Sequence, residues 1–194
     1  MAARPGPESI ALLDRFVAAL KAGGLVTDAE IEEQVARTDE ANPEIGARMV
    51  ARAWTDPDYR ELLVRDGSAA AEAMGVSMAG MPPLGVLADA PGLHHLVVCT
   101  LCSCYPRAVL GYPPHWYKSA AYRARAVRDP RGVLAEWGTV LPEGVELRVV
   151  DSTADYRWMV LPERPAGTEG WDAARLAEIV TRDALVGVAL PVVA

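Results

Sequence analysis

A chain of 194 residues can bury one ordinary hydrophobic core, so one globular domain with an appendage is expected rather than several domains. With 51% hydrophobic and 23% charged residues the composition is that of a folded protein, not a disordered one, and no apolar run is long enough to span a bilayer. The formal net charge of −7 argues against a nucleic-acid partner, which needs clustered Lys and Arg, and with no export-type apolar segment near the N-terminus a cytoplasmic location is expected.

In chain order, residues 8–75 read as helical throughout. Ile10, Leu13, Phe16, Val17 and Leu20 recur at helical spacing, and Gly23-Gly24 ends that helix. Thr27 and Glu30 form a capping box, in which hydroxyl and carboxylate satisfy orphan amides reciprocally. Asn42-Pro43-Glu44 opens a third helix, with Pro43 where no amide hydrogen is needed. Trp54-Thr55-Asp56-Pro57 closes it and opens another, and Gly75 stops the series. These helices, rich in Ala and Arg, suit an arm that packs on another chain. Residues 76–93, with Gly80, Pro82, Pro83, Gly85, Pro91 and Gly92, read as a connecting loop.

The second half, 94–194, reads as α+β. Leu96-Val97-Val98 is a short buried strand, and Glu146 to Val150 and Tyr156 to Leu161 are strands separated by a polar turn. One helix runs from Asp129-Pro130 to Trp137-Gly138, a second covers Trp171 to Arg182, and Val186 to Leu190 is a candidate last strand. No internal repeat and no βαβ alternation is evident. The basic stretch Arg123, Arg125, Arg128, Arg131 reads as a solvated or subunit-facing helix.

All three cysteines fall in the six residues Cys99-Thr100-Leu101-Cys102-Ser103-Cys104, which suits metal or redox chemistry better than a disulfide framework. Cys99 and Cys102 have the spacing that lets two thiolates meet one ion. If Cys102 and Cys104 share that ion, the amide nitrogens of Ser103 and Cys104 are drawn close and can close five- and six-membered chelates with the sulfurs. Amidate and thiolate donors suit a low-spin trivalent ion better than zinc or magnesium. Spacing alone equally permits a structural zinc site, Cys99, Cys102 and Cys104 plus His94 or His95. His115, in a Pro-Pro-His-Trp turn, is assigned no chemistry. No nucleophile elbow, H-E-x-x-H, P-loop or dinucleotide fingerprint competes with the cysteine cluster.

The residue order around this cluster carries more than spacing does. V-C-T-L-C-S-C-Y-P resembles the metal claw of nitrile hydratase α subunits, of the cobalt type. The resemblance continues through L-G-Y-P-P-H-W-Y-K-S, A-Y-R-A-R-A-V-R-D-P-R, R-W-M-V-L-P-E-R-P-A-G-T-E-G-W and E-I-V-T-R-D-A-L-V-G-V, with A-R-A-W-T-D-P-D-Y-R-E-L-L upstream. It implies a helical N-terminal arm (1–75), the loop 76–93 and a layered α-β-β-α catalytic domain (94–194). It implies one low-spin Co(III) per chain, held by the sulfurs of Cys99, Cys102 and Cys104 and the amide nitrogens of Ser103 and Cys104. Cys102 would be a sulfinic acid and Cys104 a sulfenic acid, with Thr100 marking the cobalt branch.

The activity implied is hydration of a nitrile to an amide, with either the Cys104 sulfenate oxygen or an activated water as nucleophile. Arg157 would support the site at the contact with a β-type partner subunit, and a cobalt-loading chaperone is a possible further partner. Thiocyanate hydrolase, whose metal-bearing subunit shares the claw, is the rival within this resemblance; a non-catalytic zinc subunit is the rival outside it. Where many members carry a glutamine near residue 80, this chain reads Ala79-Gly80-Met81-Pro82-Pro83, which leaves room for a bulky nitrile such as a cyano-nucleoside. The arm is also shorter than is usual in the family.

Overall fold

The computed structural model describes residues 6–193. The chain forms two compact units, Met1–Glu40 and Ala41–Ala194. In the first, helix α1 (Pro7–Ala22) begins on a proline at its first turn and is stopped by Gly23, with Gly24 at φ +66°. Helix α2 (Asp28–Glu40) starts from the expected capping box: Thr27 N donates to Glu30 Oε2 at 2.8 Å, and Glu30 N donates to Thr27 Oγ1 at 3.2 Å. Neither helix buries a residue; Leu13 and Phe16 are each 59% exposed.

The second unit opens with three helices joined by caps. Asn42 accepts from Glu44 N to start α3 (Pro43–Thr55), Asp56 accepts from Tyr59 N to start α4 (Pro57–Arg65), and Asp66 accepts from Ala69 N to start α5 (Gly67–Glu72). Asp56 and Asp66 each end one helix and begin the next. Each such cap is worth about 1 kcal/mol. The expected arm boundary at 75 thus differs from the observed division at 40: α3, α4 and α5 bury Met49, Val50, Tyr59 and Leu63 in the core of the second unit.

Four strands follow. β1 (Leu84–Ala88) pairs in parallel with β4 (Arg157–Leu161), and β2 (Leu93–Val98) pairs in parallel with β3 (Glu146–Asp151). Between β2 and β3 lie α6 (Arg107–Leu110), α7 (His115–Lys118), α8 (Ala120–Arg128) and α9 (Pro130–Glu136). A last short helix, α10 (Ala173–Glu178), packs on α3. Helices α4 and α5 lie on β1 of the β1–β4 pair, with α3 packed on α4 and α10 on α3; β4 contacts β2 of the β2–β3 pair, which carries α8 and α9. This is the expected α-β-β-α layering. From His94 to Val98 every residue of β2 is buried, as in a strand covered on both faces.

Three local expectations are corrected. Strand β1 lies in the segment read as loop: its prolines, Pro82-Pro83 and Pro91, flank Leu84–Ala88 and never interrupt it, so they mark the strand's ends. The βαβ connection judged absent is present, because β2 and β3 are parallel and joined through α6–α9. The last strand is absent among the described residues. Ala184–Val186 instead forms a 3₁₀ turn ending at Gly187, whose φ is +80°. A Cβ at Gly187 would stand 1.9 Å from His95 O, so only glycine allows the chain to pass β2 there.

Candidate metal centre

Strand β2 delivers Cys99, fully buried, immediately after Val98. The chain then turns back so that the three sulfurs lie within 4.8 Å of one another, the one such group of potential metal ligands among the described residues. Cys99 Sγ and Cys102 Sγ are 3.6 Å apart, and Cys102 Sγ and Cys104 Sγ 3.3 Å. Two sulfurs bound at about 2.3 Å to one ion are separated by roughly 3.3 Å at a right angle and 3.8 Å at a tetrahedral angle, so these spacings fit a shared ion. Cys102 N donates to Cys99 Sγ at 3.2 Å, and the amides of Ser103 and Cys104 converge on Cys102 Sγ. Sulfur and amide donors therefore meet in one turn.

The turn is clamped by residues remote in sequence. Thr100 N donates to Asp151 Oδ1 at 3.0 Å, and the Thr100 hydroxyl bonds Asp151 Oδ2. Arg123 Nη1 donates to the carbonyls of Thr100 (3.1 Å) and Leu101 (2.9 Å). Below, Tyr117 OH donates to Cys104 O at 2.9 Å and Tyr122 OH to Val97 O at 2.8 Å. Tyr105 and Tyr117 pack edge to face at 5.0 Å.

The environment divides the thiols. Bonds from the Cys104 thiol, the Ser103 amide and the Cys99 thiol hold the Cys102 pKa below its ordinary value. Burial, reinforced by the Cys102 and Cys99 sulfurs, pushes Cys104 up to about 12, against the lowering influence of the Arg157 charge. Cys102 is exposed, whereas Cys99 and Cys104 are buried. The solvent-facing Cys102 sulfur thus ionises more readily than the buried Cys104 sulfur.

Cys102, Ser103 and Cys104 form part of the lining of a cleft of about 270 Å³. Met78, Met81 and Leu84 line it from the β1 side, and Arg107, Val109 and Arg157 complete it. Arg157, the first residue of β4, has a buried Nη1 with no hydrogen-bond partner in the described structure. A buried, unpaired guanidinium nitrogen beside a sulfur cluster suits a site that holds negative charge.

His94 and His95 do not join the sulfurs. His95 N and Nδ1 each stand 2.9 Å from Asp89 Oδ1, and His94 Nδ1 makes an ion-pair contact of 2.9 Å with Asp89 Oδ2. His94 Nε2 lies 2.8 Å from Gly187 O. Both His94 nitrogens stand close to acceptors, a setting that favours a charged ring. Burial opposes that charge, yet the bond and charge of Asp89, with the Gly187 carbonyl, outweigh it and raise the His94 pKa. The Cys₃His zinc arrangement is therefore not assembled.

The sequence reading missed Arg123, Asp151, Tyr117 and Asp89. Arg123 lay within a noted motif but was read as part of a solvated or subunit-facing helix. Of that stretch Arg125 instead pairs with Glu136 at 2.7 Å, and Arg131 bonds the carbonyls of the loop after α9. His115 starts α7. No helix among the described residues is long and apolar enough to cross a membrane.

Comparison with known proteins places this geometry. The family model for the nitrile hydratase α chain matches residues 9–189. The low-molecular-weight cobalt-containing nitrile hydratase subunit alpha of Rhodococcus rhodochrous is 48% identical over 189 residues, covering 97% of this chain and 91% of that one. Thiocyanate hydrolase subunit gamma of Thiobacillus thioparus is 54% identical over 156 residues, 75% of this chain and 64% of that one. Among solved structures, a thiocyanate hydrolase variant superposes with a TM-score of 0.88 at 43% identity, covering 97% of this chain and 91% of that one. An Fe-type nitrile hydratase variant from Comamonas testosteroni gives 0.86 at 41%, covering 97% and 92%. A chain matched over nearly its whole length by that family model, with three sulfurs gathered in one turn, belongs to the nitrile hydratase α-chain family.

Proposed function

We propose that this chain is the cobalt-bearing α subunit of a nitrile hydratase, a hydro-lyase that adds water across a C≡N bond to give an amide. The observation that carries the reading is the gathering of the three cysteine sulfurs within 4.8 Å at the edge of a partly apolar cleft. Cys99, Cys102 and Cys104 would hold one Co(III) through sulfur, and Ser103 and Cys104 through their amide nitrogens. When bound, such an ion supplies Lewis-acid polarisation of the nitrile and activation of water.

The chain's own residues supply the rest. Oxidation by dioxygen of Cys102 to a sulfinate and Cys104 to a sulfenate would place anionic oxygens beside Arg157, whose unpaired Nη1 answers the need for a cation. The Cys104 oxygen is then a candidate nucleophile towards the nitrile carbon, with Ser103 setting the turn between the two modified sulfurs. In that route the S–O bond breaks as the oxygen passes to carbon and would be remade by water, so that one water is consumed, its two hydrogens ending on nitrogen. Arg157 is also half-exposed, which suits a second role at the contact with a β-type partner subunit. A cobalt-loading chaperone and a cytoplasmic location complete the reading.

The thiocyanate hydrolase reading is favoured by one observation: two guanidiniums, Arg107 and Arg157, line the cleft, and cations suit an anionic C≡N substrate. The cyano-nucleoside finds less support, since the wall contributed by Met78, Met81 and Leu84 is apolar.

The test is metal analysis and peptide mass of the Cys99–Cys104 fragment after expression with cobalt and the partner chains. About one cobalt per chain with oxygen added at Cys102 and Cys104 is the expected result. Zinc on three unmodified thiols would overturn the catalytic reading. Carbonyl sulfide release from thiocyanate without amide formation from any nitrile would transfer the assignment to the second reading.

A further inference from the structure

Whatever binds beside Cys102 and Cys104 must place the rest of itself in the cleft, and the apolar side chains lining that cleft are not equally adaptable. Leu84 and Val109 are locked in the core at 2% and 0% exposure. Met78 and Met81 belong to a tight turn instead. Met81 N donates to Met78 O at 3.0 Å, and Gly80 adopts φ +71° at the third position, the signature of a type II turn. The first and last residues of such a turn are backbone neighbours, and both side chains line the cleft. Met78 reaches into the core at 9% exposure, while Met81 is half-buried and packs against the core's edge.

The turn is anchored to the same strands that position Arg157. Arg157 N donates to Pro83 O at 2.9 Å, and Leu84 N donates to Ser68 Oγ at 2.9 Å. With Pro82 and Pro83 restricting the chain after it, the methionine pair is held at a fixed place in the cleft wall while its unbranched side chains remain adaptable. A rigid backbone with soft side chains is a surface that selects by apolar contact and not by hydrogen bonding.

We propose that Met78 and Met81 are specificity-determining residues that read the apolar substituent of the substrate, favouring the longer of two unbranched alkyl groups. This rests on the nitrile hydratase reading above. Each substituent methylene buried against the pair improves kcat/KM by about fourfold, as expected for removing a methylene from water. The gain falls mainly on KM, because the contact is the same in the ground and transition states.

The test measures kcat and KM for propionitrile, butyronitrile and valeronitrile with the cobalt-loaded enzyme and its partner subunit, for wild type, Met81→Gln and Met81→Leu. The gradient along the series is a ratio within one preparation, so it does not depend on the fraction of enzyme correctly folded. Wild type and Met81→Leu are expected to gain about fourfold per methylene, and Met81→Gln, similar in size but polar, less than about twofold. Met81→Ser serves as a second polar variant should the glutamine change lower the yield. A gradient in both polar variants equal to that of wild type would overturn the inference and leave the nitrile reading intact. A wild-type enzyme that forms no amide from any of the three would overturn the reading beneath it.

Discussion

Asp89 is the acceptor around which the entry to β2 is organised, and replacing it with asparagine tests that arrangement. Asp89 Oδ1 accepts from His95 N and stands 2.9 Å from His95 Nδ1, and Oδ2 makes an ion-pair contact of 2.9 Å with His94 Nδ1, in a cluster whose three residues are at most 6% exposed. Asparagine retains one acceptor oxygen for His95 but turns the other arm into a donor facing His94 Nδ1, so the charge that raises the His94 pKa is lost. Charge-assisted bonds worth about 1.5–3 kcal/mol become neutral ones worth about 1 kcal/mol, a loss of about 2 kcal/mol in total. For a chain of this length that is a fall of roughly 4–8 °C in Tm. The dependence on pH follows from the raised folded-state pKa of His94. Its contribution is full below the unfolded value of about 6.5 and is lost as pH rises through the higher folded value. Urea denaturation of wild type and Asp89→Asn between pH 6 and pH 9 should therefore show the widest gap at pH 6, narrowing towards pH 9 to the part owed to His95. A gap that is constant, or that widens with pH, would refute the pairing of His94 with the Asp89 charge.

Gly187→Ala forces a Cβ to 1.9 Å from His95 O at φ +80°, and should lower stability by about 2–4 kcal/mol by thermal melt. A melt unchanged within 1 °C would contradict the close approach. In the metal-free chain, iodoacetamide should modify Cys102 well before Cys99 and Cys104, as followed by peptide mass, because Cys102 alone is exposed. Equal rates at the three positions would count against the buried placement of Cys99 and Cys104. Arg123→Ala removes both donors to the turn carbonyls and should speed cobalt loss to a chelator by about tenfold, the equivalent of ~1.4 kcal/mol, with Arg125→Ala as the unaffected control.

What was legible in the sequence is what is local. The capping box at Thr27 and Glu30 and the helix starts at Asn42-Pro43 and Asp56-Pro57 were visible because each signal lies within three consecutive steps of the chain. The metal centre was visible for the same reason: its three sulfurs come from six consecutive residues, and their order matched a family motif. The clamp was invisible because Asp151 is 51 residues from Thr100, and Arg123 is 23 residues from it. Strand β1 was lost because proline and glycine counts describe a segment's average, while the strand depends on where in the segment they fall. The buried histidines were ambiguous from composition alone, since an imidazole beside cysteines serves as ligand or as core residue. Asp89, five residues before His94 across a turn, decides that question, and no spacing rule announces it.

The parallel pairing explains why the clamp and the cleft exist at all. In the β2–β3 register Val98 stands opposite Asp151, so both strands end at the same edge, and Thr100 finds its acceptor there with no further rearrangement. An antiparallel pair would carry Asp151 to the far end of β2. The β1–β4 register sets Leu84 opposite Arg157 at the starts of those strands, and both residues line the cleft beside the sulfur turn. The site thus lies where the ends of one strand pair meet the beginnings of the other, with the turn of Cys99–Cys104 between them. Side chains alternate faces along a strand, so a slip of one residue in β1–β4 would turn Arg157 away from Cys104 and remove the cation from the cleft. Trp158 and Tyr156 oppose that slip. Their rings pack against Gly85 so closely that a Cβ there would come within 2.5 Å of Trp158 and 2.4 Å of Tyr156. Gly85 therefore holds the register that brings Arg157 to the sulfurs.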